Sequence, residues 1–466
     1  MALTPFDADD AAQFLARVTD ATASAADRAP LERSVAELAG MGLTPGSVVM
    51  IALPNGLRLV RIFFAAVLAG YVPVLLPPST PVSRTALIAD RLGAAALIRS
   101  RIPLQEYAQG RVQRVDDLEA LLLTDYPQQV HRPGQAILLT SGTSGIATGC
   151  LHDIDALLRN ARRHAASIGQ TAADTLLVSL PVYYSFALVA QVLSAFRTGS
   201  RLVVTAPPYT ARSQFTAVAE HRATVSSLTP FLLRTLLSES GGELPGGLRA
   251  VTVGGQSVPA QTSRRLLERN PGLELYLTYG LTEAGPRVST LAAHREPEHR
   301  LESVGRALEG VSVGTRQVEG DREELIVVSD TVHRGRVGEG DTTGRGDLLA
   351  PEVLATGDLG RVDADGYVHV QGRLSDFTEI RGEKVSLASV RRAAESLDGV
   401  VRAVPRVQRQ DGQELVHVEF FMSELNPRTA VATENSLRRQ LHSLLTPGER
   451  PGAFTLTPAP AAGFQK

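Results

Sequence analysis

Short aliphatic and β-branched runs alternate with longer amphipathic or apolar stretches from Val48 to Leu277. The short runs are bounded by Gly, Pro or polar clusters. They predict strands at Val48–Leu53, Val72–Leu76, Ala95–Ile98, Ala136–Thr140, Thr175–Leu180, Leu202–Thr205, Thr224–Leu228, Ala250–Val253 and Leu273–Leu277. Helical spacing of apolar positions predicts helices at Gly56–Leu68, Ile154–Ser167, Ser185–Thr198 and Ala260–Glu268. Strands joined through helices run parallel, because the crossover needs the length of a helix. The expected fold class is therefore α/β, with a large N-terminal part of βα units. From Ser303 the pattern turns β-rich, and Ala364-Asp365-Gly366 marks a hairpin. Arg334–Leu348 is rich in Gly, Asp, Thr and Arg, which predicts a mobile surface loop. Near the C-terminus, Val385–Leu397 reads as a helix, and Val400–Val407 and Leu415–Phe421 read as strands. No internal repeat or low-complexity tract stands out.

A chain of 466 residues is too long for one hydrophobic core, so at least two domains are expected. A charged fraction of 21% beside 43% hydrophobic residues places it in the soluble globular class. The formal net charge of −2 gives no electrostatic basis for a nucleic-acid partner or an anionic membrane surface. Cys150 is the only cysteine, which excludes an internal disulfide and fits a reducing cytoplasm. The start, MALTPFDADD, lacks the basic and apolar regions of a signal peptide. The two most apolar stretches, Ile62–Pro78 and Leu180–Phe196, are interrupted by Gly70 and Pro73 and diluted by Ser185, Gln191 and Ser194. They read as buried core, with no membrane insertion. Lys384 and Lys466 are the only lysines among 47 basic residues. A GC-rich genome explains the arginine bias, and it draws attention to two positions that keep a compact, flexible point charge.

Candidate chemistry begins at Leu139-Thr140-Ser141-Gly142-Thr143-Ser144-Gly145, directly after a predicted strand. Its two glycines let backbone approach a ligand without an intervening Cβ. Its hydroxyls and successive N–H groups suit phosphate oxygens, although the same composition also makes ordinary connectors. Two further segments narrow the choice. They are Tyr276-Leu277-Thr278-Tyr279-Gly280-Leu281-Thr282-Glu283, and Thr356-Gly357-Asp358-Leu359-Gly360 followed after a hairpin by Gly372-Arg373.

In this order the three segments resemble the signatures of the adenylate-forming superfamily: acyl- and aryl-CoA ligases, carrier-protein-loading adenylation enzymes and luciferases. The resemblance extends over nearly the whole chain, from Gly46–Asn55 through Ser303–Arg306 and Glu324–Val332 to Arg381–Val385. It implies a large nucleotide- and acid-binding domain over residues 1–373 and a small mobile α+β lid over 374–466. Ser375 would be the hinge on which the lid turns between an adenylation pose and a transfer pose; its other reading is a solvated turn residue.

The resemblance also implies ATP and Mg²⁺, and assigns residues to them. Thr140, Ser141, Gly142, Thr143, Ser144 and Gly145 would hold the β- and γ-phosphates. Gly254, Gly255, Gln256 and Gly280 would line the nucleotide site, and Tyr279 would cover the adenine. Thr282 would touch the α-phosphate and Glu283 would hold the metal, a hard cation suited to carboxylate oxygen. Asp358 would accept both ribose hydroxyls on its two oxygens, with Arg373 adding a fork of donors. Tyr183, Tyr184, Ser185, Phe186 and Ala284 would form the acid pocket. Taken singly, Tyr279 also reads as core, Glu283 as a helix-start carboxylate and Asp358 as a turn residue.

Three departures from the family pattern bear on function. Ala147-Thr148-Gly149 stands where relatives carry Pro-Lys-Gly, so a phosphate-reaching lysine is replaced by threonine. Tyr184 stands where many acyl-CoA ligases have a histidine, and no acidic residue lies between Leu180 and Gln191 to hold an α-amine. That disfavours an α-amino acid and favours an acyl or aryl acid. Gly149-Cys150-Leu151-His152 leans toward the aryl-CoA ligase branch, with His152 readable equally as core or as catalytic. The tail ends Gly463-Phe464-Gln465-Lys466, with phenylalanine where the family's catalytic lysine follows glycine. Lys466, two residues on, either supplies that charge from a shifted path or is an incidental terminal residue.

The resulting expectation is a cytoplasmic enzyme of specialised metabolism that adenylates a small carboxylic acid. It would then pass the acyl group to the thiol of CoA, or to the phosphopantetheine of an acyl carrier protein. One rival keeps the nucleotide site with a non-thiol acceptor, as in ATP-dependent diazotisation. Another is a degenerate nucleotide-binding partner protein, against which stand Thr282, Glu283, Asp358 and Arg373.

Overall fold

A computed structural model describes residues 5–21, 29–102, 111–123, 128–140, 148–206, 209–318, 322–338, 347–374, 377–380, 383–410, 413–425, 430–445 and 449–459. Its first large sheet runs in the spatial order Val18–Asp20, Arg201–Val204, Thr175–Val178, Val225–Leu228, Ala250–Gly254, Glu274–Tyr279, Ser289–Ala292 and Arg306–Ala307. The first six strands are parallel and the last two antiparallel. The second sheet is centred on parallel strands Gln135–Thr140, Val72–Leu75, Val48–Ala52 and Ala94–Arg99, with antiparallel strands at both edges. All five residues of Val48–Ala52 are buried, as a strand covered on both faces requires.

The helix Leu57–Leu68 is buried along most of its length, because it packs into the main core rather than lying at its surface. Phe64 meets Phe6, Phe14 and Phe196 with ring centroids 5.0 to 5.5 Å apart. Arg61 on the same helix is 2% exposed and would be costly without a counter-ion. It donates to Asp116 at 3.1 Å and to Ser34 at 3.2 Å.

The strands Val311–Gln317, Glu323–Ser329, Asp347–Ala350, Val353–Val362 and Val368–Arg373 form an antiparallel sheet in which Val353–Val362 pairs with Glu323–Ser329, Asp347–Ala350 and Val368–Arg373. Beyond it, Phe377–Ile380 pairs with Glu383–Ser386. The strands Val400–Gln410, Gln413–Met422 and Ala453–Pro458 then make a three-stranded sheet, accompanied by helices Leu387–Glu395 and Ala430–Leu444. This last part has a core of its own, built from residues such as Val390, Val418, Phe420 and Leu441. No helix among the described residues is long and apolar enough to cross a membrane.

All eleven expected strands are present, within a few residues at each end. Three expectations change. Ser185–Thr198 is α-helical at both ends but widens to a π-helix over Leu188–Leu193. There Gln191, which reads as a break in an apolar run, is buried and donates to Leu177 O at 2.9 Å. Arg334–Leu348 is not a loop at either end: Gly335–Val337 pairs with Thr148–Asp153, a strand the pattern did not suggest, and Asp347 and Leu348 belong to the strand Asp347–Ala350, while residues 339–346 lie outside the described residues. Local composition misses the pairing with Thr148–Asp153 because the partner lies far away in the chain. The helix expected from Val385 begins at Leu387, since the preceding residues are held in the Glu383–Ser386 pairing.

Candidate active site

The expected phosphate segment leaves the strand Gln135–Thr140 and returns as the antiparallel strand Thr148–Asp153. Thr140 Oγ1 donates to the Thr148 carbonyl at 3.3 Å across the base of this hairpin. Ser141, Gly142, Thr143, Ser144 and Gly145 lie outside the described residues. The short 3₁₀ turn Thr282–Ala284 touches both the strand that carries Thr140 and the strand that carries Asp358. Three segments distant in sequence thus meet beside the carboxyl ends of parallel strands, where open α/β sheets bind ligands.

Close backbone approach explains two of the glycines here. A Cβ on Gly280 would stand 1.8 Å from the Pro286 carbonyl oxygen. One on Gly254 would stand 2.4 Å from Thr278 Oγ1. Gly255 has φ +92°, and it is exposed together with Gln256 just past the strand end.

Asp358 is 5% exposed and is held by several groups. Tyr279 Oη donates to its Oδ2 at 2.7 Å, and Arg373 Nε lies 3.4 Å from Oδ1. Asp358 and Arg373 face each other across paired strands, which brings their side chains together without a loop. The backbone before Asp358 is also fixed. Gly357 N–H donates to Glu324 Oε1 at 2.7 Å, and Thr356 Oγ1 accepts from Asp358 N–H at 3.0 Å.

Glu283 is 2% exposed and its backbone carbonyl accepts from His333 N–H. Arg336 Nη2 lies 3.8 Å from its Oε1, and no described residue donates a hydrogen bond to the carboxylate. Such a carboxylate fits a hard divalent cation, which characteristically takes one or two carboxylates and completes its shell with water and substrate phosphate. Behind this turn, His152 is fully buried with its ring centroid 6.2 Å from that of His333. Burial, aided by His333, pushes the His152 imidazole down to about 3, and among the described residues neither ring nitrogen meets a partner at hydrogen-bond geometry. His152 is thus a neutral core residue.

On the acid side, Ser185 Oγ and Thr282 Oγ1 are 2.8 Å apart, joining the start of the interrupted helix to the Thr-Glu turn. Tyr183 and Tyr184 pack with ring centroids 4.7 Å apart, both half-buried. Burial raises the Tyr183 phenol to about 12, so it stays protonated. Asn55 clamps this segment, accepting from Val182 N–H at 2.9 Å and donating to Leu180 O at 2.8 Å and to Tyr209 Oη at 3.0 Å. Ala284 is buried in the core, with its carbonyl accepting from Thr331 Oγ1 at 3.0 Å.

Phe186 carries the most unusual neighbour. The guanidinium carbon of Arg287 sits 4.0 Å from its ring centroid. Arg287 is 3% exposed, and Nη1 donates to Thr278 Oγ1 at 2.6 Å. Its backbone is pinned by Asn160, which accepts from its N–H at 2.9 Å and donates to its carbonyl at 2.8 Å. No described carboxylate pairs with this cation, and burial pulls it down to about 9.

The structure therefore brings together Thr140, Thr282, Glu283, Tyr279, Asp358, Arg373, Ser185 and Phe186. Ser375 and Lys466 lie outside the described residues, and Lys384 is described only through its backbone pairing with Glu379. Asn55, His333 and Arg287 were not singled out from sequence as site residues. Asn55 ends the run GSVVMIALPN, part of the stretch that resembles the family, whereas Arg287 is one arginine among many.

Residues 32–335 match the family of AMP-binding enzymes. The 2-succinylbenzoate–CoA ligase of Bacillus licheniformis is 25% identical over 375 residues, covering 77% of this chain and 76% of that protein. The ligase of the same name from Bacillus cereus is 26% identical over 370 residues, covering 76% and 73%. Among solved structures, o-succinylbenzoate CoA synthetase of Bacillus subtilis, in complex with its acyl-adenylate intermediate, superposes with a TM-score of 0.78 at 20% identity. That match covers 96% of this chain and 95% of the other. The same synthetase with ATP and a magnesium ion gives a TM-score of 0.76 at 19% identity, covering 96% of each.

Proposed function

This chain belongs to the AMP-binding enzyme family, and on that premise we propose that it is an acid–thiol ligase acting in the cytoplasm. It activates an acyl or aryl carboxylic acid with ATP and passes the acyl group to the thiol of CoA. In the first step a carboxylate oxygen bonds to the α-phosphorus of ATP as the bond to pyrophosphate breaks, leaving an acyl-adenylate. In the second, the thiol sulfur bonds to the acyl carbon, AMP departs, and the thiol proton is released.

The observation that carries this reading is the junction at Thr282. Its hydroxyl meets Ser185 on the acid side, while its own turn touches the strands of Thr140 and Asp358. A group placed there adjoins both substrates at the bond being made. Tyr279 and Arg373 orient Asp358 for the ribose hydroxyls, and the segment 141–145 holds the β- and γ-phosphates. Glu283 holds Mg²⁺, which when bound offsets phosphate charge. Lys466 supplies a cation to the adenylation step from a lid, residues 374–466, that turns at Ser375. The names of the relatives support an aryl acid and CoA over a carrier protein.

The test is a panel of carboxylic acids incubated with ATP, Mg²⁺ and either CoA or phosphopantetheinylated carrier protein, with thioesters detected by mass spectrometry. Acid-dependent acyl-CoA supports the reading. Formation of acyl carrier protein alone would move the acceptor to that partner, and absence of any thioester would overturn the ligase assignment.

A further inference from the structure

The interior of the acid side holds a cation that the adenylation chemistry does not use. Arg287 offers five N–H donors in a fixed fork. Among the described residues only one hydrogen bond leaves its guanidinium, from Nη1 to Thr278 Oγ1. Nε has no partner. The Nε–Nη2 edge is thus buried with no partner among the described residues, and this side-on edge is the one that grips a carboxylate through two parallel bonds.

Its placement is equally specific. Thr278 and Gly254 lie opposite each other near the carboxyl ends of adjacent parallel strands. Gly254 leaves room for the guanidinium, since a Cβ there would stand 3.2 Å from Nη1. Phe186 covers one face of the cation, and the neighbouring Ser185 touches Thr282. Nearby His164 is buried and neutral, held down to about 3 by burial and by Arg287 itself, so it offers no counter-charge. A buried guanidinium without an anion is costly to the fold, because ring contact and one hydroxyl do not replace its hydration. An anion on the ligand offsets that cost only while bound.

We propose that Arg287 determines specificity by binding a second carboxylate on the acid, so that the enzyme selects dicarboxylic acids and adenylates one of the two groups. This rests on the reading of the chain as a carboxylate-adenylating enzyme. The ligand is committed to a carboxylate rather than a neutral polar group because only an anion compensates the buried charge.

The experiment compares each dicarboxylic acid with its own monoamide, which keeps the shape and removes the second charge. Aliphatic and aryl skeletons of increasing spacer length are used, 2-succinylbenzoate among them. Pyrophosphate release is measured for the wild-type chain, Arg287→Lys and Arg287→Met. At least one dicarboxylate is expected to exceed its monoamide by about 10²-fold or more in kcat/KM, the scale of leaving a buried polar site unpaired. Arg287→Met should bring that ratio near one, and Arg287→Lys should leave it intermediate.

Monoacids or monoamides turned over as well as dicarboxylates by the wild type would overturn the inference, and so would a ratio unchanged in a folded Arg287→Met. If Arg287→Met fails to fold, the wild-type pairs decide alone. Adenylation of monoacids only sinks the role of Arg287 and leaves the ligase reading standing. Pyrophosphate release with no acid at all sinks both.

Discussion

Tyr279 Oη donates to Asp358 Oδ2 at 2.7 Å, tying the end of a parallel strand to the antiparallel sheet that follows it in the chain. The bond fixes one oxygen of a carboxylate whose other oxygen faces Arg373. If Asp358 binds the ribose, Tyr279 acts on ATP by orienting that carboxylate. Tyr279→Phe should therefore raise the dissociation constant for ATP by about tenfold, in line with roughly 1.5–3 kcal/mol for a hydrogen bond to a charged group. Asp358→Ala should do more. Calorimetric titration of ATP checks both, and unchanged affinity in folded Asp358→Ala would remove the ribose role.

Glu283→Gln keeps the size of the side chain but gives up the charge a hard cation needs. The variant should unfold near the wild-type temperature and lose most acid-dependent pyrophosphate release. Turnover near wild type at saturating Mg²⁺ would show that the metal is held elsewhere.

Asn55 satisfies three groups around the start of the acid pocket. Asn55→Ala leaves the Val182 N–H and the Leu180 carbonyl without that partner, at a cost of roughly 1–3 kcal/mol for each buried group so exposed. Urea unfolding should show the loss, and KM for the acid should rise more than KM for ATP. Equal rises would place Asn55 in general stability rather than in shaping the pocket.

His152 and His164 are buried with imidazoles held down to about 3. Unfolded histidine titrates near 6.5, so between about pH 6.5 and pH 3 the unfolded chain binds protons that the folded chain refuses. Stability from these residues is complete above about pH 6.5 and falls as the pH drops. From pH 7 to pH 5 each should cost roughly 2 kcal/mol, a window in which most carboxylates stay ionised in both states. Urea unfolding at the two pH values measures this. A His164→Gln variant that unfolds reversibly should lose less on acidification than the wild type does, and an identical loss would contradict the assignment.

Strands such as Val48–Ala52 and Ala250–Gly254 were legible because a parallel strand covered on both faces is a continuous apolar run between turn residues. The Thr282-Glu283 turn, Asp358 and Arg373 were legible as ordered motifs. The strand Thr148–Asp153 and its partner Gly335–Val337 were not, since neither run announces a pairing made over so long a separation. The π-helix at Leu188–Leu193 was hidden because its apolar pattern resembles that of an α-helix. Arg287 was hidden for another reason: what sets it apart is burial without a carboxylate among the described residues, a property that exists only once the chain is folded.

Exchange of labelled pyrophosphate into ATP tests the central claim most directly, because it reports the reverse of acid adenylation without needing the thiol acceptor. With purified protein, Mg²⁺ and the acid panel, label should enter ATP only when an accepted acid is present, and Glu283→Gln should abolish it. Exchange that stays at background with every acid, in a protein shown by calorimetry to bind ATP, would contradict carboxylate activation by this site.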